Sequence, residues 1–224
     1  MVELVPVLTI DGPGGAGKGT VSRAVARRLG WHYLDSGAIY RALAVAVQRR
    51  GVLLENLPAV VQCARDMALE FLADNGLTVL LDGKNISAEI QLELIGAAAS
   101  RIAQHAEVRA VLLEKQRAFC RAPGLVADGR DMGTVVFPDA RYKIFLTAGA
   151  EVRARRRYKQ LMDQGINVNL EQLTRELAVR DSRDRERAIA PLVPAGDAVE
   201  IDSSCLTIDQ VIDQVLAVTG RGGK

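Results

Sequence analysis

Short apolar runs alternate with amphipathic stretches along the chain. VPVLTID (5–11), WHYLD (31–35), GLVADG (124–129), YKIFLTA (142–148) and AVEIDSS (198–204) are bounded by turn residues and predict buried strands. Helical patterns follow most of them, over 18–29, 37–50, 150–162 and 207–218. Strand and helix repeated in this way predict an α/β fold, a parallel sheet covered on both faces by helices. Ligands of such sheets sit at the carboxyl ends of the strands. A glycine-rich stretch, Asp35-Ser36 and DGRD (128–131) all fall there.

Two regions break the alternation. Residues 51–123 hold a helical pattern (58–70), a hairpin-like stretch LEFLADNGLTVLLDGKNISAEI with turn signals at Asn75-Gly76 and Asp82-Gly83, and two further helices near 91–105 and 107–121. Residues 151–190 read as two arginine-rich helices around MDQGINVN, with Asn169 and Gln172 capping the second and Pro191 and Pro194 ending it. The expected organisation is one domain over 1–224: a core of 1–50, 124–150 and 191–220, with insertions at 51–123 and 151–190. There is no internal repeat and no low-complexity segment.

Composition narrows the class. A chain of 224 residues with 49% hydrophobic and 25% charged residues can bury a substantial core. A net charge of +2 argues against wholesale binding to nucleic acid or membranes. Cys63, Cys120 and Cys205 are far apart, odd in number and without metal spacing, as expected of idle thiols in a reducing compartment. MVELVPVLTI lacks the basic start and apolar length of a signal peptide, and no window approaches a membrane span. A cytoplasmic protein is the expectation.

Five glycines crowd into Gly12–Gly19, between an apolar run and an amphipathic helix. Glycine at that density costs backbone entropy, so the backbone itself must be needed. Gly12, Pro13, Gly14, Gly15, Ala16, Gly17, Lys18, Gly19 and Thr20 form a Gly-x4-Gly-Lys loop entered from a strand and left into a helix. Such a loop turns successive N–H groups toward phosphates, the helix N-terminus adds positive charge, and Lys18 reaches the β- and γ-phosphates. A nucleoside triphosphate is the strong inference. The usual hydroxyl after the lysine is replaced by Gly19, which leaves Thr20 as the candidate on the magnesium side.

Gly-Lys-Gly-Thr resembles the loop of nucleoside monophosphate kinases, which need a second, acceptor site. In LDSGAIYRALA (34–44), Asp35 or Ser36 can cap a helix carrying Tyr40 and Arg41 one turn further in. In LVADGRDMGTVVFPDA (125–140), Asp128 ends a strand as a Walker-B-like acid, and Arg130-Asp131 follow. Together with QRAFCRAPGL (116–125) and RDSRDRERAIAPLVPA (180–195), these motifs resemble the bacterial cytidylate kinase family, from about residue 7 to 216.

The resemblance implies a P-loop kinase core with a five-stranded parallel sheet, an acceptor-binding insert with a small β element (51–123) and a helical lid (151–190). It implies transfer of the ATP γ-phosphate to CMP or dCMP, with Mg²⁺ accompanying the nucleotide phosphates and no metal held by protein ligands alone. By resemblance, Ser36, Tyr40, Arg41, Ser100, Arg109, Arg130 and Asp131 hold the acceptor. Arg156, Arg180 and Arg187 meet phosphates, and Asp184 with Arg180 holds the acceptor ribose. Lys18, Arg130, Arg156 and Arg187 are the expected catalytic residues. The chemistry agrees: the Asp131 carboxylate can accept from the cytosine exocyclic amine, whereas uracil presents an oxygen there. Ser100 and Arg109, by their local sequence alone, could equally be helix-surface residues.

Helical geometry bears on the lid independently. At 100° per residue Arg180, Arg183, Asp184 and Arg187 share one face, while Asp181, Arg185 and Glu186 point elsewhere. Arg153, Arg156 and Arg157 share a face of the preceding helix, and the Arg153–Lys159 cluster contains no acid. The plain alternative is a pair of solvated, salt-bridged faces. Other functions weigh less: a broader UMP/CMP or small-molecule kinase shares the loop, a GTP-driven switch lacks an Asn-Lys-x-Asp element, and interleaved acids oppose an arginine-rich nucleic-acid binder. The partners expected are small molecules only, for a monomer.

Overall fold

A computed structural model of the chain describes residues 5–72, 78–163 and 165–220. Its elements run β1 (Val7–Asp11), α1 (Lys18–Leu29), β2 (His32–Asp35), α2 (Ser36–Arg49), α3 (Leu57–Asp66), β3 (Leu69–Leu72), β4 (Thr78–Leu81) and β5 (Lys84–Asn85). Then follow α4 (Glu93–Ile102), α5 (Ala106–Arg117), β6 (Leu125–Gly129), β7 (Tyr142–Thr147), α6 (Ala150–Asp163), α7 (Leu170–Glu186), β8 (Val199–Asp202) and α8 (Ile208–Val218). A 3₁₀ turn spans Glu89–Gln91 and a π-helical turn Met132–Val136. No helix among the described residues is long and apolar enough to cross a membrane.

The chain forms two compact units, one of Met1–Leu34 with Ala118–Lys224 and one of Asp35–Arg117. All five apolar runs become strands of one sheet in the order β2-β6-β1-β7-β8. The central strand β1 pairs in parallel with β6 and β7, and β7 pairs in parallel with β8. Every residue of β1 and β6 is buried, which is why these runs show no polar alternation. Leu8, Ile10, Val126, Ile144 and Leu146 pack with Val21, Val25 and Ala26 of α1 and with Val211, Ile212, Val215 and Leu216 of α8. Both helices carry their own end signals. Gly30 closes α1 in the left-handed conformation, and Thr207 with Gln210 forms a capping box on α8.

In the second unit β3, β4 and β5 form an antiparallel sheet. The Asp82-Gly83 turn signal joins β4 to β5, with positive φ at both residues (50° and 75°), as a two-residue hairpin turn requires. Asn75-Gly76 lies outside the described residues. The helix expected over 58–70 stops at Asp66, because the apolar residues from Leu69 are used in pairing with β4. Asn169 does cap α7, accepting from the Gln172 amide. Its end, however, is not set by the prolines: Arg187 already turns to an extended backbone (ψ 136°) ahead of Pro191.

Helices α6 and α7 pack through Ala154, Leu161, Leu173 and Leu177, and here the helical-wheel reading needs correction. Asp181 does not point away: Arg153 pairs with it at 2.6 Å, with both side chains 5% exposed. The arginine cluster therefore does have an acid. An isolated wheel gives angles, not the face that a neighbour selects. The buried stripe of α7 is Leu173, Leu177, Asp181 and Asp184, a spacing of four, four and three that continues an apolar stripe with two acids. Arg153→Met should cost about 3–5 kcal/mol in urea unfolding, because it strands a buried carboxylate. Arg153→Met with Asp181→Leu should recover part of that loss, because the Gly14 and Ala148 carbonyls still lack the donor that Arg153 provides. A double variant no more stable than the single one would show that the pair is not what joins the helices.

Candidate active site

The glycine-rich loop leaves β1 through a constraint only glycine meets. Gly12 has φ 147°, and a Cβ there would lie 1.9 Å from the Leu146 carbonyl oxygen of β7. Past it, three loop carbonyls accept from other groups. Lys18 Nζ donates to Pro13 O (2.9 Å), Arg153 Nη1 to Gly14 O (3.0 Å), and Arg156 Nη1 (3.4 Å) and Ser203 Oγ (3.2 Å) to Ala16 O. In a trans peptide the N–H points opposite to the carbonyl, so these bonds also fix the N–H directions of Gly14, Gly15 and Gly17. A loop with oriented N–H groups at the start of α1 is an anion cradle.

Lys18 is buried, and burial lowers its pKa to about 7. The charges of Arg130 and Arg180 push the same way, against Asp128 and Asp11. Asp128, buried at the end of β6, accepts from the Tyr33 hydroxyl at 3.3 Å and lies beside Gly19. Thr20 is exposed. Among the described residues no three His, Cys, Asp or Glu side chains gather as metal ligands.

Ahead of Lys18 stands a set of buried opposite charges. Arg130 Nε donates to Asp184 Oδ2 at 3.0 Å, and Arg187 Nη2 lies 3.8 Å from Asp131 Oδ1. Burial alone would raise Asp184, but Arg130, Arg180 and Arg187 outweigh it and hold the carboxyl below its ordinary value. The Arg187 side chain is only 4% exposed, and its Nε donates to the Ala190 carbonyl. Asp184 and the Arg187 side chain are thus buried and Arg180 is half-buried, so this face is not the solvated surface of the plain alternative. Arg156 is occupied differently, donating to Ser203 Oγ and Ser203 O as well as to the loop.

The remaining expected residues belong to the unit of Asp35–Arg117. Asp35 caps α2 by accepting from the Ala38 amide. Ser36 donates to Gln116 Oε1 at 2.6 Å, and Arg41 donates to Ile90 O. The Arg109 guanidinium sits 5.8 Å from the Tyr40 ring centroid and donates to Ala103 O. Ser100 and Arg109 are both buried, so neither is an ordinary surface residue of its helix.

Sequence reasoning gave no role to Asp11, Gln116, Asp181 or Ser203. It read Arg153 only as one of a face of arginines that could meet phosphate charge, whereas Arg153 is engaged with Asp181 and the Gly14 carbonyl. Arg153 and Asp181 carried a usable signal, a basic and an acidic residue on facing helices, but their pairing depends on which faces meet. Ser203 and Gln116 act through contacts distant in sequence and left none.

A parallel sheet whose central strand runs through this loop into a helix, with a buried lysine ringed by arginines, defines a P-loop kinase. The sequence profile of the cytidylate kinase family matches residues 8–221. The chain is 60% identical over 218 residues to a cytidylate kinase of Methylococcus capsulatus, covering 97% of this chain and 98% of that one. It belongs to the cytidylate kinase family. Among solved structures it is similar to a shikimate kinase from Acinetobacter baumannii in complex with shikimate (18% identity, 98% and 96% of the two chains, TM-score 0.43). It is also similar to a gluconokinase from Sinorhizobium meliloti (12% identity, 97% and 92%, TM-score 0.45). Likeness at that level adds nothing about the site.

The depressed Lys18 pKa has a direct consequence. At pH 8 the amine is largely neutral, and a triphosphate beside it favours the ammonium form. ATP binding at pH 8 should therefore take up protons, and less at pH 6, where Lys18 is already charged. Calorimetry in buffers of different ionisation enthalpy measures this. Uptake that persists unchanged in Lys18→Met would assign the proton to another group.

Proposed function

We propose that the chain transfers the γ-phosphoryl group of ATP to CMP or dCMP, giving ADP and CDP or dCDP. The observation that carries this reading is near full-length 60% identity to a cytidylate kinase, joined to an oriented phosphate loop. Gly12 to Thr20 would cradle the donor phosphates, with Lys18 at the β- and γ-phosphates. Arg130, Arg156 and Arg187 would neutralise charge on the transferring group. Ser36, Tyr40, Arg41, Ser100, Arg109 and Asp131 would hold the acceptor nucleotide, and Arg180 with Asp184 its ribose. The acceptor is already a phosphate dianion near neutral pH, so no general base is needed, and positioning with charge neutralisation supplies the catalysis.

A Mg²⁺ ion carried mainly by phosphate oxygens would need few protein ligands. The Thr20 hydroxyl, with Asp128 behind Gly19, would complete its surroundings. When bound, the ion would neutralise charge on the phosphates. The reading includes one kinase domain with its acceptor-binding insert at 51–123 and lid at 151–190. It also includes a cytoplasmic monomer acting on small molecules, and the near-neutral net charge supports leaving nucleic acid out.

Coupled ADP release with CMP, dCMP, UMP and AMP tests the acceptor. CMP and dCMP should exceed UMP in kcat/KM, and Asp131→Ala should narrow the CMP/UMP ratio while leaving ATP binding nearly intact. Equal use of UMP by the parent enzyme would refute the acceptor assignment.

Arg187→Ala separates a catalytic arginine from a structural one. The expected loss is about 100-fold in kcat, roughly 3 kcal/mol of transition-state stabilisation. Because the side chain is buried beside Asp131, Tm should also fall by several degrees, with the protein still folded at assay temperature. A fall in Tm with kcat unchanged would leave Arg187 a packing residue.

A further inference from the structure

Asp11 ends β1, is buried, and binds a segment far away in sequence with both carboxylate oxygens. Its Oδ1 accepts from the Met132 amide and its Oδ2 from the Gly133 amide, each at 2.8 Å. These are the first two N–H groups of the π-helical turn, and Asp131 is the residue that enters it (φ −150°, ψ 24°). Capture of two successive amides fixes two successive peptide planes. The first of these is the Asp131–Met132 peptide itself, so Asp11 determines the backbone from which the Asp131 side chain departs. On its other side Asp11 is bonded to Gly12, which is wedged against the Leu146 carbonyl. One carboxylate thus joins the start of the phosphate loop to the loop carrying Arg130 and Asp131.

We propose that Asp11 is a positioning residue for base selection: by holding the Met132 and Gly133 amides it fixes the Asp131 carboxylate and so sets the preference for CMP over UMP. This rests on the base-reading role proposed for Asp131. Asp11 also stabilises the fold by giving the Met132 and Gly133 amides their partners, so the test has to separate positioning from stability. Burial raises its pKa to about 6, against the pull of the two amide bonds and of Lys18, with Asp131 adding to the rise. Folding therefore disfavours the ionised form at neutral pH.

The test compares Asp11→Asn, Asp11→Ser, Asp131→Ala and parent enzyme by kcat/KM for CMP and UMP, both acceptors measured on one preparation so that the active fraction cancels. Asparagine keeps the size but turns an NH2 group toward one of the two amides, and serine offers one smaller acceptor. The CMP/UMP ratio should fall roughly tenfold in the Asp11 variants, as expected for one lost charge-assisted hydrogen bond. KM for ATP should stay within about twofold of the parent, a split that general destabilisation would not produce. A narrowed ratio in Asp131→Ala but not in the Asp11 variants overturns the inference alone. An unchanged ratio in Asp131→Ala overturns the base-reading role and removes the premise of the inference as well. Where the Asp131→Ala ratio does narrow, amide exchange at Val135 and Val136, which donate to the Asp131 carbonyl, reads positioning directly. Faster exchange in Asp11→Asn than in the parent supports it, and equal exchange overturns it. Failure of both Asp11 variants to fold would make Asp11 a folding residue and likewise overturn the proposal.

Discussion

The site depends on how the carbonyls of the glycine-rich loop are held. A loop that offers N–H groups to an anion must dispose of the carbonyls on the other side of each peptide plane, and a buried carbonyl without a donor is costly. Here Lys18, Arg153, Arg156 and Ser203 provide the donors. Two of the four come from α6 and one follows β8, so the loop is built by the C-terminal part of the first unit as much as by its own glycines. Gly12 supplies the complementary constraint at the loop entrance, where the Leu146 carbonyl leaves no room for a side chain.

That arrangement concentrates positive charge. Arg130, Arg153, Arg180 and Arg187 lie among Asp128, Asp131, Asp181 and Asp184; Lys18 is lowered first by burial and further by Arg130 and Arg180, and Asp128 offsets part of this. Buried ion pairs add little net stability compared with an apolar core, yet breaking one is costly. The pairs thus serve less to stabilise the unit than to keep several guanidinium groups fixed close together. Fixed charge needs little reorganisation when a phosphoryl group passes, which is the electrostatic advantage such a site can offer.

Much of this was legible in the sequence, and for definite reasons. The central strands β1 and β6, buried on both faces, appear as unbroken apolar runs. The other three strands of the main sheet could be located to within a few residues from their flanking turn residues. Strand β8, however, is exposed at three of its four residues and is not the buried strand expected. Local end signals were equally readable: Asn169 on α7 and the Asp82-Gly83 turn act within a few residues of themselves. The phosphate loop was legible because its glycines have no other economical explanation. Contacts between distant segments were not. Asp181 was placed on the wrong side because a helical wheel has no knowledge of the neighbouring helix, and the π-helical turn after Asp131 leaves no periodic trace in five residues.

The same distinction explains which acids matter. Along α7 the buried stripe changes from Leu173 and Leu177 to Asp181 and Asp184 without changing its spacing. In a helix governed only by packing, acids on that stripe would be an error, since burying a carboxylate without a partner costs several kcal/mol. Each instead meets an arginine, Arg153 for Asp181 and Arg130 for Asp184. Arg153 in turn holds the Gly14 carbonyl, and Arg130 lies beside Gly14 in the loop. Leu177 already lies beside Gly14, so where α7 stops burying leucines and starts burying acids, its attachment to the phosphate loop changes from an apolar contact to two arginines.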